Sequence, residues 1–483
     1  MIHIPVLRAG KAYTSLTTQA LDDVRTGKPI AEMSLANAGL IAKDLSRSAM
    51  RRRALAERPV AELIAIAGDA ARRFTKDTLP LGDGEQTPED YVRQLSATAG
   101  LPETLVRANM AKSTYVMAEM ETVLGGLTRG LDLEILDRGW GTQDGRMVSY
   151  RPETDVLAAV LPSNSPGVHS LWIPAFALKT PLALKPGSKE PWTPYRIGQA
   201  LLAAGAPPEA FSFYPTDYAG AHELLLRSGR SLLFGDGATV APWRANPGVQ
   251  IHGPGWSKVV LGKDGAEDWG GDLDLIVESV AANGGRSCIN ASGVWTAANG
   301  RALADGLAQR LATIEARPLD DPEARLASFP SKKAAEALSR HLESQLAIEG
   351  AEDMTARYRQ PGPEGRVAEA GGCAFVLPTV VFCEDPRHPL AHSEFLFPFV
   401  SVVETPEETL VSTMGESLVV TALTEDPGMI RELMNSTNVE RLNLGRFPTS
   451  HVTWDQPHEG NLFEHLFRQR AFQGSSLETQ TAA

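Results

Sequence analysis

The chain of 483 residues is longer than one hydrophobic core fills, so two or three domains are expected. Its composition, 43% hydrophobic and 22% charged, is that of a globular protein, and a net charge of -13 gives no general attraction to phosphate backbones, which argues against nucleic acid as the main partner. Met1 to Gly10 lacks the basic-then-apolar order of a secretory signal, and no stretch nears the roughly 18 apolar residues of a membrane span, so a cytoplasmic protein is expected.

From Leu16 to about Arg129 the apolar residues recur mainly at helical steps, broken by the stretch Pro80 to Pro88. The cluster Arg51, Arg52 and Arg53 reads as a solvated helix face. After Asp155 the rhythm changes. An apolar run (Val156 to Leu161), a turn (Pro162 to Gly167) and an apolar helical stretch to Leu178 begin a cycle. Strand Leu182 to Lys185, helix Pro194 to Ala204, strand Phe211 to Tyr214, helix Tyr218 to Ser228 and strand Ser231 to Phe234 continue it. Such alternation predicts an α/β fold with a parallel sheet covered by helices on both faces. Ligands bind such sheets beyond the carboxyl ends of the strands, so the turns at Pro162 to Gly167, Pro186 to Lys189 and Gly235 to Gly237 are candidate cofactor contacts. None of them carries G-x-G-x-x-G, which disfavours an ordinary glycine-rich dinucleotide turn.

A second α/β unit follows, with strand Val259 to Leu261 and a helix from Asp272 to about Ala282. Asn283, Gly284 and Gly285 then suit a left-handed cap, and the chain turns through Arg286 and Ser287 to Cys288 before the strand Gly293 to Thr296. Further strands are expected at Phe375 to Phe382, Val400 to Glu404 and Leu418 to Leu423, and the tail after Gln473 reads as disordered. The three cysteines, Cys288, Cys373 and Cys383, are too few for a disulfide framework and lack zinc-site spacing, so no metal is expected. Cys373 and Cys383 flank a strand and read as structural. Cys288, on a loop, is the candidate thiol nucleophile.

Three segments together resemble the aldehyde dehydrogenase superfamily from about Arg151 to Phe472: "AAVLPSNSPGVHSLWIPAFALKTPLALKPGS", "ANGGRSCINAS" and "HSEFLFPFVSVVE". The resemblance implies a nucleotide-binding parallel-sheet domain, an α/β catalytic domain and a small β extension that pairs subunits as a homodimer or homotetramer. It divides the chain into N-terminal helices and an NAD(P)-binding domain (1–250, with an oligomerisation hairpin near 135–152), a catalytic domain (251–433), an oligomerisation extension (434–473) and a tail (474–483). Leu442 to Val452 is a candidate for the subunit-pairing strand, the alternative being an edge strand within the chain.

The same resemblance makes Cys288 the nucleophile, and Asn164, with the Cys288 backbone N–H, the oxyanion donor. Read alone, Asn164 is better taken as a turn residue bonding its own backbone; the matched segments reverse that preference. Lys185 matches a lysine that bonds the adenine ribose and Glu394 a glutamate that grips the nicotinamide ribose; Pro162, Ser163, Gly187, Ser188, Gly235, Asp236, Gly237 and Leu396 complete the candidate cofactor contacts. NAD or NADP is the implied cofactor. Gly187 and Ser188 stand where an acid often selects NAD, a mild lean to NADP that the nearby Glu190 opposes. Trp172, Phe176 and Trp295 are candidate linings of the substrate tunnel.

One departure separates branches of the superfamily. Hydrolytic members carry a water-activating glutamate where this chain has His252, in "IHGPGWSKVVL". Gly253-Pro254-Gly255 resembles the Gly-Pro-Gly of CoA-acylating members, and the interval of 18 positions from Phe234 to His252 is short, as in that branch. Of the acylating branch's Asp-Asn-Gly run, only Asn283-Gly284 is kept. The expectation is a reversible reduction of an acyl-CoA to an aldehyde, with CoA as co-substrate. The alternatives are a hydrolytic aldehyde dehydrogenase with His252 as base and a non-catalytic relative. His252 itself is open between a base, a structural or solvent-exposed residue and a CoA-phosphate contact.

Overall fold

Two runs of short apolar strands, each feeding helices, organise the molecule into two seven-stranded sheets. The structure, a computed structural model, describes residues 1–359 and 365–474; most of the tail read as disordered lies outside the described residues. Among the described residues no helix is long and apolar enough to cross a membrane.

The first sheet has the strand order Val249–His252, Arg230–Phe234, Leu157–Val160, Leu182–Lys185, Phe211–Phe213, Val6–Arg8 and Lys11–Tyr13. The first five are parallel, as the alternating pattern requires, because each crossover runs through a helix or turn. The last two are antiparallel additions. Leu157–Val160 sits between Leu182–Lys185 and Arg230–Phe234, with later strands added on both sides, so strand order reverses at its carboxyl end. That reversal opens a crevice for a ligand.

The N-terminal region departs from the helical expectation. Thr18–Asp22 and Pro29–Ser34 pair as strands, and the first helix begins at Ala38. Ala31 and Met33 are buried with Glu32 between them, a two-residue period too short to stand out from the helical spacing that follows. Beyond them the helical reading holds. In Val60–Lys76 the buried residues Leu63, Ile66, Ala67, Ala70, Ala71 and Phe74 form one stripe. The interruption at Pro80 is a hairpin, Leu79–Leu81 with Gly84–Gln86. The arginine cluster is not a solvated face: Arg51 is buried, donating to Ser212 Oγ at 3.0 Å and Tyr214 Oη at 3.4 Å, while Arg53 remains exposed. A hydroxyl pair from the first sheet satisfies a charge that composition alone would place in water.

The second sheet is ordered Ala351–Asp353, Thr379–Cys383, Phe399–Glu404, Ala291–Thr296, Ser257–Leu261, Ser417–Leu423 and Val439–Leu444. All neighbours are parallel except the first pair. The single strand expected at Phe375 to Phe382 is two, Cys373–Val376 and Thr379–Cys383, in different sheets, and both cysteines are buried. Leu442–Leu444 lies on the edge of the second sheet, paired within the chain to Ser417–Leu423. The strand that leaves the two sheets is instead Phe467–Arg470, which adds to Arg146–Pro152 of the hairpin Gly141–Gln143/Arg146–Pro152.

Candidate active site

The loop between the helix Leu273–Ala281 and the strand Ala291–Thr296 carries Cys288. Asn283 (φ 52°) and Gly284 (φ 66°) are left-handed, the conformation their residue types suggest. Asn283 Nδ2 donates to Ser287 Oγ at 2.9 Å and Ser165 Oγ at 3.1 Å, while its Oδ1 accepts from Asn109 Nδ2 at 2.7 Å. Asn290 closes the loop: its Oδ1 accepts from Ser287 N at 2.8 Å and its Nδ2 donates to the Ala282 carbonyl at 2.9 Å. A loop with this many internal bonds holds its thiol in one place. The Cys288 carbonyl accepts from Ser257 Oγ at 2.8 Å, and a Cβ on Gly255 would fall 1.9 Å from that same oxygen. Only glycine permits so close a passage.

Asn164, on the turn after Leu157–Val160, donates from Nδ2 to the Arg286 carbonyl at 2.7 Å. One amide N–H thus fixes the side chain against the Cys288 loop and leaves the second for a ligand. The bond is to a distant loop, not to its own turn. Cys288 is half-buried, and its thiol is pushed well above the ordinary cysteine range by burial first and then by the carboxylates Glu459 and Glu394. Both causes favour the neutral thiol over the thiolate.

A cavity of about 840 Å³ opens at the carboxyl ends of the first sheet and reaches Cys288. The structure brings Cys288, Asn164 and His252 to its wall together, with Pro162, Ser163 and Lys185 from the first turns. Gly235, Asp236, Glu394 and Leu396 also line it. Gly187, Ser188 and Gly237 do not: Gly187 packs beneath the wall, where a Cβ would meet the Pro162 carbonyl at 2.3 Å, and the other two are exposed beyond it. Lys185 is held below the usual lysine range by burial. Glu394 accepts from the Trp256 backbone N–H, and burial pushes its carboxyl up to about 7.

Trp172, Phe176 and Trp295 are fully buried and none lines the cavity. Trp172 points into the core, donating to His169 Nδ1 at 3.0 Å, and Trp295 packs on His392 with centroids 5.4 Å apart. The aromatic wall comes from Trp243, Trp256 and Trp454 instead. Lys112, on the helix Glu103–Ala118, is a further lining residue that no sequence motif marked.

His252 ends the strand Val249–His252. It is 4% exposed, which removes the solvent-exposed reading. Its ring stacks on Phe234 with centroids 4.3 Å apart and planes 13° apart. Nδ1 is hydrogen-bonded to the carboxylate of Glu459, and Nε2 has no partner among the described residues. Sequence reading missed Glu459 because it lies 207 positions downstream in no motif. Glu190 is likewise not where proximity in sequence put it. Only 1% exposed, it turns inward, accepting from Thr193 N at 2.8 Å and pairing with His169 Nε2 at 2.7 Å.

A model of the family described as "Aldehyde dehydrogenase family" matches residues 26–417. The chain belongs to the aldehyde dehydrogenase family. Among solved aldehyde dehydrogenase relatives, 3,6-anhydro-L-galactose dehydrogenase in complex with NAP is 15% identical with a TM-score of 0.76, over 97% of this chain and 99% of that one. Indole-3-acetaldehyde dehydrogenase from P. syringae, in complex with NAD+ and IAA, is 15% identical with a TM-score of 0.76, over 97% and 96% of the two chains. 1-Pyrroline-5-carboxylate dehydrogenase from Thermus thermophilus is 14% identical with a TM-score of 0.75, over 97% and 92%. At these identities the likeness shows the fold, which is that of an aldehyde dehydrogenase: a nucleotide-binding sheet beside a catalytic one. No curated protein matches the sequence.

Proposed function

We propose that the protein is an NAD(P)-dependent, CoA-acylating aldehyde dehydrogenase that interconverts an acyl-CoA and its aldehyde through a thioester on Cys288. The observation that carries this reading is His252, followed by Gly253-Pro254-Gly255, at the wall where hydrolytic members hold a carboxylate base. A thiol, with an ordinary pKa of about 8.5, gives up its proton about 7 units more readily than water. Thiol transfer is therefore the easier proton chemistry at this base. The second reading, hydrolysis, is favoured by one observation, the unpaired Nε2 of a histidine whose other nitrogen holds a carboxylate, which is also how a water-activating base is built.

The residues present fit a dinucleotide. Lys185 is a half-buried cation with no acidic partner among the described residues, at the crevice where strand order reverses, and Glu394 offers a carboxylate with one oxygen anchored. Lys185 and Glu394 would hold the two riboses and Pro162, Ser163, Gly235, Asp236 and Leu396 the remainder; the nicotinamide, when bound, supplies or accepts the hydride. Cys288 attacks the carbonyl carbon, the free Asn164 N–H and the Cys288 backbone N–H steady the oxyanion, and collapse expels the CoA thiolate. Each such donor is worth about 3 to 4 kcal/mol. The inward turn of Glu190 takes its charge away from the adenine ribose side, which supports NADP beside NAD. A homodimer or homotetramer built on the Phe467–Arg470 strand, rather than on Leu442–Val452, completes the reading.

The test is product analysis. With an acyl-CoA and NADPH or NADH, the protein should consume cofactor and release aldehyde and free CoA. Cofactor reduction by aldehyde that CoA leaves unchanged, with carboxylic acid as product, would establish the hydrolytic reading instead.

A further inference from the structure

We infer that Glu459 is a positioning residue that holds His252 as the base for the Cys288 thiol, so that the site works as a cysteine, histidine and glutamate relay with its carboxylate delivered from the far end of the chain. The inference rests on Cys288 being the nucleophile and does not depend on which acceptor takes the acyl group.

Three observations place the pair. A carboxylate only accepts, so the bond between Glu459 and His252 puts the imidazole proton on Nδ1 and leaves Nε2 a bare lone pair. That Nε2 is buried, unpaired among the described residues, and belongs to a ring on the wall of the cavity that holds Cys288. An orphaned buried acceptor is costly in a core but is what a base requires before its proton arrives. The turn that brings Glu459 is built for the purpose. Glu459 has φ 49°, rare for a glutamate, and Gly460 follows at φ 100°. Gln250 Nε2 donates to the Glu459 carbonyl, and Arg441 Nη1 donates to the Pro457 carbonyl at 2.9 Å. The turn is thus tied to strands of both sheets.

The electrostatics favour transfer. The Cys288 S–H bond breaks as an N–H bond forms at His252 Nε2, and the three groups carry one negative charge before and after. No net charge is created in a buried site, and the thiolate then faces a neutral imidazolium–carboxylate pair rather than a bare carboxylate. The other groups facing the pair are His458 and His465, both pushed down to about 4 mainly by burial, Arg441 beside His458, and Glu394 near the thiol. The two histidines are therefore neutral near neutral pH and do not replace His252.

The test is the rate at which iodoacetamide alkylates Cys288 in the full-length protein, read by peptide mass from about pH 5 to about 10, spanning the histidine and cysteine ranges. The wild type should show an inflection in the histidine range. Glu459→Gln should lose it and react about tenfold or more slowly at neutral pH, with Glu459→Asp recovering part. His252→Gln should match Glu459→Gln, and the double variant should be no slower than either. The His252 ring resonances in Glu459→Gln report whether the ring stays on Phe234. A Glu459→Gln profile superimposed on that of the wild type, or a wild-type thiol inert at neutral pH, would overturn the inference. Alkylation needs neither CoA nor water as acyl acceptor, so a hydrolytic enzyme would still pass.

Discussion

Cys288 is fixed through its backbone as much as through its side chain. Ser257 bonds its carbonyl, and Gly255 passes where no other residue fits. Gly255→Ala must therefore displace Cys288 by an ångström or more, and we expect a loss in kcat of about 10²-fold with KM little changed, measured in initial rates. Cys288→Ser should fold normally and show no acyl adduct in intact mass after incubation with acyl-CoA, whereas Asn164→Ala should still be acylated, with kcat lower by about 10² to 10³. Glu394 gives a pH dependence with a definite sign. Burial raises its carboxyl from the ordinary 4.5 to about 7, so it loses its charge as pH falls through that value. An ionised carboxylate accepts from ribose hydroxyls better than a neutral one, and cofactor Kd by titration should weaken below about pH 7 and be flat in Glu394→Gln. For stability the sign reverses: a raised carboxyl contributes fully below 4.5, and that contribution disappears as pH rises through about 7, so Glu394→Gln should be relatively more stable at alkaline pH.

At the scale of elements, local signals set the outcome where a segment's partners are its neighbours in sequence. Thr87 and Asp90 form a reciprocal cap on the helix Pro88–Ala99, which ends on left-handed Gly100. Thr87→Ala should cost about 1 kcal/mol in denaturant melts without altering kinetics. The strand Leu182–Lys185 and the Asn283-Gly284 cap were legible for this reason: an apolar run bounded by turns, and two residue types that tolerate positive φ. Thr18–Asp22 and Pro29–Ser34 were not, since their short alternation is ambiguous until Ile2–Ile4 is laid beside them. Of the candidate site, Cys288, Asn164, Lys185 and Glu394 could be named from the sequence because each lies inside a recognisable segment, and all four line the cavity. The inward turn of Glu190 and the burial of Trp172 and Trp295 were hidden, because sequence spacing does not say which way a side chain faces once a turn is folded.

For the whole molecule, the C-terminal segment returns to the site. Phe467–Arg470 closes on Arg146–Pro152, and Trp454 and His458 line the cavity. If the Phe467–Arg470 strand joins subunits, truncation after Leu466 should lower the mass seen by light scattering to that of a monomer and leave the cofactor sheet able to bind NADPH. Glu459 shows why long-range features escape sequence reading: it has no periodicity or motif, only a place in the folded molecule beside a residue 207 positions earlier. The family match ends at residue 417, yet the cavity wall continues to His458. During translation, then, a nascent chain that has emerged through its thiol loop and both sheets still lacks a side of its reaction chamber. The chamber is closed only when the segment from Ser450 to His458 has folded against both sheets, so its wall depends on the most distant contacts in the fold.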